Sequence, residues 1–124
     1  MSYIDLIIKI KNAQKAKKDL VKHPYSKINE AILLILLKKK FIAGFEIKGR
    51  GYKKYLEINL KNSKTITKVQ LLSKPSIKRY VGYKDIKPVK GGYGVLILST
   101  NRGILSGEEA KKNGVGGQLL AAVS

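Results

Sequence analysis

The apolar residues change period part-way along the chain, and that switch decides what the chain can fold into. Up to residue 40 they recur at helical spacing, and from about residue 45 they alternate as strands do. Ser2 followed by Asp5 reads as a helix start, with a hydroxyl to accept orphan amides and a carboxylate near the positive end. Residues 3–18 are predicted helical, with Ile4, Leu6, Ile7, Ile8, Ile10 and Ala13 on a broad buried face and Lys11, Lys15 and Lys18 on an opposite stripe. Residues 20–23 read as a short strand closed by Pro24. Ser26 then caps a second helix running to about residue 40, with Ile28, Ile32, Ile35 and Leu36 as its core stripe.

Past Gly44 the pattern is of strands and turns. Residues 45–48 and 52–60 read as a hairpin around Gly49-Arg50-Gly51, with Leu56, Ile58 and Leu60 facing inward. Residues 65–72 form a further strand before Ser73-Lys74-Pro75, where a lobe boundary is expected. Beyond it, residues 77–81 are strand-like and 84–88 a turn, and Gly91-Gly92-Tyr93-Gly94 leads into a strand at 95–98. The tight loop 99–103 joins that strand to Ile104-Leu105. Ser106 with Glu109 makes a capping box for a short helix ending at Gly114, and Gly116-Gly117 opens a last strand over 118–123. The expected class is α+β in two small lobes: an N-terminal α-β-α-β-β lobe over 1–72, and a mostly β lobe with one short helix over 73–124.

Charge bears on partners rather than fold. The chain holds 26 basic and 8 acidic residues, net +18. Self-repulsion on that scale points to a polyanion, commonly nucleic acid. There is no cysteine, which excludes disulfides and thiolate chemistry and suits an intracellular setting. The longest apolar run, 31–37, is too short to span a bilayer, and the first residues lack the order of a secretory signal. Chemistry finds little purchase. His23, the sole histidine, precedes a proline at a strand end, and Glu108-Glu109 sits in a first helical turn, where the helix dipole accounts for it. Neither glycine cluster precedes a helix, so neither makes a phosphate loop. No enzyme, metal, cofactor or small-molecule substrate is expected.

The charge is unevenly spread. Residues 1–63 hold 15 basic and 5 acidic groups, 64–90 hold 8 and 1, and 91–124 hold only 3 and 2. Phosphate attraction therefore belongs to the first two stretches. The nearly neutral last stretch has short hydroxyls, amides and one arginine, which can approach base edges and 2′-hydroxyls. The loop reads equally well as a plain hairpin turn, since Asn-Arg-Gly is good turn chemistry. Tyr80, Tyr83 and Tyr93 lie among Lys78, Arg79, Lys84, Lys87 and Lys90, a pattern that suits either base stacking or half-buried packing. A binder using charge alone, on DNA or an anionic membrane, is the rival reading.

Ser99-Thr100-Asn101-Arg102-Gly103, followed by SGEEAKKNGVGG over 106–117, closely resembles the C-terminal signature of the bacterial small-subunit ribosomal protein S8 family. Ile10-Lys11-Asn12-Ala13, Pro24-Tyr25-Ser26-Lys27, Lys40-Phe41-Ile42 and Ser73-Lys74-Pro75 resemble its other motifs in the same order. The resemblance implies a cytoplasmic protein of the small ribosomal subunit that binds the central domain of the ribosomal RNA, sits among neighbouring ribosomal proteins, and can bind its own operon messenger. It also implies RNA-reading roles for Ser99, Thr100, Asn101, Arg102, Gly103, Gly116, Gly117 and Gln118, with Ser26 and Lys27 secondary. Lys11, Lys78, Arg79 and Tyr80 complete the expected RNA-binding set on grounds of charge and aromatic interleaving. The sequence departs from the family pattern at Asn101, Gln118 and the 121–124 ending.

Overall fold

The computed structural model describes residues 3–72, 79–87 and 94–124. They divide into two units, Met1–Ile66 and Thr67–Ser124, each mixing helix with antiparallel sheet. The break falls earlier than the expected one after residue 72, because the strand before Ser73 pairs within the second unit.

In the first unit, α1 (Tyr3–Lys15) and α2 (Lys27–Lys38) accompany a sheet of β1 (Leu20–Pro24), β2 (Gly44–Lys48) and β3 (Tyr55–Asn59), in the order β1-β3-β2. Leu6, Ile7 and Ile10 of α1, Ile32, Leu33 and Leu36 of α2, and Leu56 and Ile58 of β3 are fully buried, with Phe41 and Ile42 between α2 and β2. Two predicted core positions are surface residues: Ile8 is 40% exposed and Ile28 is 50% exposed. The buried arc of α1 runs through Leu6, Ile7, Ile10 and Ala13, and Ile8 stands about 100° off it. Ile28 lies in the first turn of α2, where little packs against it.

Both helices end earlier than their apolar pattern suggests. Lys18 N donates to Ala13 O at 2.9 Å and Lys17 N to Gln14 O at 3.0 Å, with Lys17 at φ 59°. Phe41 N donates to Leu36 O at 2.9 Å and Lys40 N to Leu37 O at 3.0 Å, with Lys40 at φ 65°. These are Schellman endings with lysine where glycine is the usual occupant, so no glycine marks the stop. The outer edge of β1 is blunted: Pro24 offers no amide, and Lys9 Nζ donates to Lys22 O at 3.2 Å. The β2–β3 hairpin carries a single 3-10 turn, Gly51–Lys53, where strand was expected.

The second unit is a sheet of order β4-β8-β6-β7, comprising β4 (Val69–Leu71), β6 (Val95–Thr100), β7 (Gly103–Ser106) and β8 (Gly117–Val123); β5 (Tyr80–Val81) pairs with the start of β8. Leu98 opposes Leu119 and Ile97 opposes Ala121, so Leu120 forms a bulge that lets β8 turn both leucines toward packing partners. The short helix α3 (Gly107–Lys112) covers Leu98 with Ala110, and Ile86 closes the cluster. Ser106 caps α3, accepting from Glu109 N at 3.2 Å while its hydroxyl donates to Glu109 Oε1 at 3.1 Å. The glycine run 91–93 and the segment 73–78 lie outside the described residues. No described helix is long and apolar enough to cross a membrane.

Candidate nucleic-acid interface

The strand ladders collect much of the expected reading set at one end of the second sheet. Tyr80 of β5 pairs with Gln118 of β8, which pairs with Ser99 of β6, which in turn opposes Ile104 of β7. One row thus crosses four strands. Opposed residues project on the same side of a sheet, and Tyr80 on this row is 70% exposed. In the next row Val81 opposes Gly117, and Thr100 opposes Gly103 across the β6–β7 turn. Asn101 and Arg102 form the exposed tip.

The tip is braced from within. Thr100 Oγ1 donates to Gly103 O at 2.8 Å and accepts from Arg102 N at 3.1 Å. Gly103 takes φ 101°, a left-handed position that leaves Asn101 and Arg102 on ordinary turn geometry. The hydroxyl of Thr100 is thereby committed as a donor to its own loop, and what the tip presents outward is Asn101 and the Arg102 guanidinium.

Gly116 and Gly117 answer first to packing. A Cβ on Gly116 would stand 2.2 Å from Val81 O and 2.9 Å from Gly82 Cα. One on Gly117 would stand 2.3 Å from Ser99 O and 3.0 Å from Thr100 Cγ2. The glycine pair lets β5 and β6 close onto β8, which sets Ser99, Gln118 and Tyr80 side by side. Arg79 accepts from Leu119 N at 2.8 Å through its carbonyl, fixing the backbone next to Tyr80. Lys78 lies outside the described residues.

In the first unit Ser26 is the N-cap of α2, accepting from Asn29 N at 3.1 Å, and Lys27 is the exposed residue after it. Lys11 is half-buried on α1. Around the start of α2 the structure assembles a cation–aromatic group that the sequence reading passed over. Lys54 Nζ lies 5.5 Å from the Tyr25 ring centroid, Lys22 Nζ 5.5 Å from that of Tyr55, and Lys53 Nζ 6.0 Å from that of Tyr52. Its signal was in plain view as Tyr52-Lys53-Lys54-Tyr55, hidden because strand alternation explained it first. Tyr25 also donates its hydroxyl to Glu30 Oε1 at 3.0 Å, and holding that bond to the carboxylate pushes the phenol above its ordinary value.

Among the described residues, nothing in this geometry resembles a catalytic centre. His23 is buried with neither ring nitrogen hydrogen-bonded, and burial, reinforced by Lys9, holds its imidazole below the ordinary value. Among the described residues no group of three His, Cys, Asp or Glu could hold a metal.

The model of the ribosomal protein S8 family matches residues 3–124. Small ribosomal subunit protein uS8 of Dictyoglomus thermophilum is 41% identical over 122 residues, covering 96% of this chain and 93% of the relative. The protein of the same name from Bordetella petrii is 39% identical over 97% of this chain and 94% of its own length. That from Lachnoclostridium phytofermentans is 41% identical over 96% and 93%. Matches of this extent, on a mixed helix–sheet fold whose signature loop closes against its glycine pair, place the chain in the ribosomal protein S8 family.

Proposed function

We propose that this chain is a structural, non-enzymatic constituent of the small ribosomal subunit in the cytoplasm, binding the central domain of its ribosomal RNA directly and supporting assembly among neighbouring ribosomal proteins. The observation that carries this reading is the row Tyr80–Gln118–Ser99 beside the braced tip 100–103. It is a polar, nearly uncharged edge on a chain of net +18. Lysines, Lys11 and Lys27 among them, neutralise phosphates without regard to sequence. Short polar groups at the sheet end approach base edges and 2′-hydroxyls, which an A-form helix displays in its wide, shallow minor groove. Arg79 supplies charge beside Tyr80, and Lys78 adds to the basic set. The same edge would accept a segment of the chain's own operon messenger that folds into the ribosomal shape, a route to translational autoregulation.

The test is competition binding at physiological salt between a central-domain ribosomal RNA fragment and random RNA of equal length. The ribosomal fragment should win by roughly 10³-fold, the lower end of specific over non-specific nucleic-acid binding. Equal affinity for random RNA, duplex DNA and anionic vesicles would mean that charge alone does the binding.

A further inference from the structure

The cation–aromatic group beside the 3-10 turn Gly51–Lys53 borders a recess in the first unit. This open recess of about 340 Å³ is lined by Lys22, His23, Pro24, Tyr52, Lys53, Lys54 and Tyr55. Tyr52 forms its rim at 94% exposure, more than any other large hydrophobic side chain among the described residues. Single exposed apolar side chains are ordinary, but this one stands on built support. Gly49 takes φ 86°, and a Cβ there would lie 2.6 Å from Lys53 O; Gly51 takes φ 59°. Lys53 N donates to Arg50 O at 3.0 Å, and Tyr25 N to Lys54 O at 3.2 Å, tying the turn to the end of β1. The backbone that presents Tyr52 is therefore tightly specified, while the ring is exposed to solvent with Lys53 Nζ 6.0 Å from its centroid.

Around that ring the chemistry has one sign. Lys22, Lys53 and Lys54 line the recess together with two tyrosines, His23 and a proline, and no acid does. A partner that offers a flat apolar face flanked by negative charge matches this surface, and an unpaired nucleotide is such a partner. A duplex is not, since its base faces are already stacked.

We propose that this recess is a stacking subsite for one unpaired base of the bound RNA, with Tyr52 as the platform and Lys22, Lys53 and Lys54 on the adjoining phosphates. The proposal rests on the RNA-binding reading above and adds to it a contact made by the first unit with a single-stranded position.

The chain has no tryptophan, so Tyr52→Trp places a lone indole on the rim. At low salt, single-stranded oligoadenylate should quench that indole, and a blunt A·U duplex of equal length should not. Tyr52→Ala should lose about tenfold in affinity for the single strand, the usual scale of one aromatic–base stack, with duplex affinity unchanged and Tyr52→Phe close to wild type. The idea is overturned if indole emission stays flat while labelled oligoadenylate is bound by anisotropy, or if Tyr52→Ala weakens single strand and duplex alike. The two readings fail separately. Loss of preference for the central-domain fragment with quenching intact removes the central-domain reading and leaves the subsite. A retained preference with no quenching removes only the subsite. Tyr52 is surface-exposed, so thermal melts of all three variants should match wild type.

Discussion

Gln14 Oε1 accepts a hydrogen bond from Ile66 N at 2.8 Å, across a separation of 52 residues. The same amide's Nε2 donates to Phe41 O at 2.8 Å, Lys64 O at 2.9 Å and Ser63 Oγ at 3.2 Å. One side chain on α1 thus satisfies the backbone of two irregular segments that no strand pairs. Gln14→Leu removes the acceptor of the part-buried Ile66 amide, so it should cost about 1–3 kcal/mol, the usual penalty for an orphaned polar group. The measurement is a shift in urea midpoint at unchanged slope. A loss below about 0.5 kcal/mol, ordinary for a neutral surface change, would show that solvent replaces the bridge.

Lysine at the left-handed helix ends runs the other way. Lys17 at φ 59° and Lys40 at φ 65° carry a steric cost of roughly 1 kcal/mol that glycine avoids. Gly114 at φ 67° already fills the equivalent place after α3. Lys17→Gly should therefore raise the melting temperature by a few degrees, a gain trimmed by lost helix-end charge complementarity. A lower melting temperature would mean that the lysine charge outweighs the backbone strain.

The sole histidine sets a pH window. Burial first, then Lys9, lower the His23 imidazole, Asp5 opposes them, and the N-terminus adds to the lowering. Because the folded value lies below the ordinary 6.5, the unfolded chain takes up the proton first as pH falls. Stability from neutral His23 is complete above pH 6.5 and declines below it, until the folded protein is protonated too. The slope cannot exceed about 1.4 kcal/mol per pH unit for one proton. Urea midpoints across this range should fall toward acid in wild type and stay flat for His23→Leu. An equal decline in both would assign the effect to carboxylates.

The helices, the inward alternation of the 56–60 segment and the capping serines could be read from residue order, whereas the β2–β3 register could not, since Lys48 pairs with Tyr55 rather than with Tyr52. Leu56, Ile58 and Leu60 alternate inward as predicted, and Ser26 and Ser106 cap as predicted. What escaped was whatever depends on chain segments meeting across distance. Gln14 looks like any polar helix residue until the 63–66 backbone arrives beside it. Val69–Leu71 reads as the last strand of the first lobe, yet its partner is Ala121–Val123, far along the chain. At the proposed reading edge, sequence order brought Ser99 to Gly103 together but could not place Tyr80 next to Gln118. Local preference governs the elements; register between remote strands is set by packing that no local pattern encodes.

Glycine chemistry separates packing from reading. Gly117→Ala places a methyl 2.3 Å from Ser99 O, inside the β6–β8 ladder, so it should cost several kcal/mol and lower affinity for every RNA together. Gly103→Ala meets no neighbour within 4 Å and strains only its own φ of 101°, so about 1 kcal/mol is expected. Denaturation and RNA binding measured on both variants should preserve that order. A Gly117→Ala protein of wild-type stability that loses only cognate RNA would make the glycine a direct contact.

Thr100 supplies the sharpest test of the edge itself. Its hydroxyl is committed inside the loop, to Gly103 O and from Arg102 N. Thr100→Ser keeps both bonds and should bind cognate RNA within about twofold of wild type, since no specific base contact is lost. Thr100→Val keeps the shape but frees the tip, so Arg102 and Asn101 lose their fixed aim. Cognate affinity should then fall by about 1–3 kcal/mol while random RNA is unaffected. The salt slope should also hold, because no phosphate-neutralising charge is removed; Lys27→Ala, by contrast, should lower it by no more than about 0.9 and spare the preference for cognate RNA. If Thr100→Val weakens cognate and random RNA by the same factor, the tip contributes shape to the sheet end and nothing to recognition.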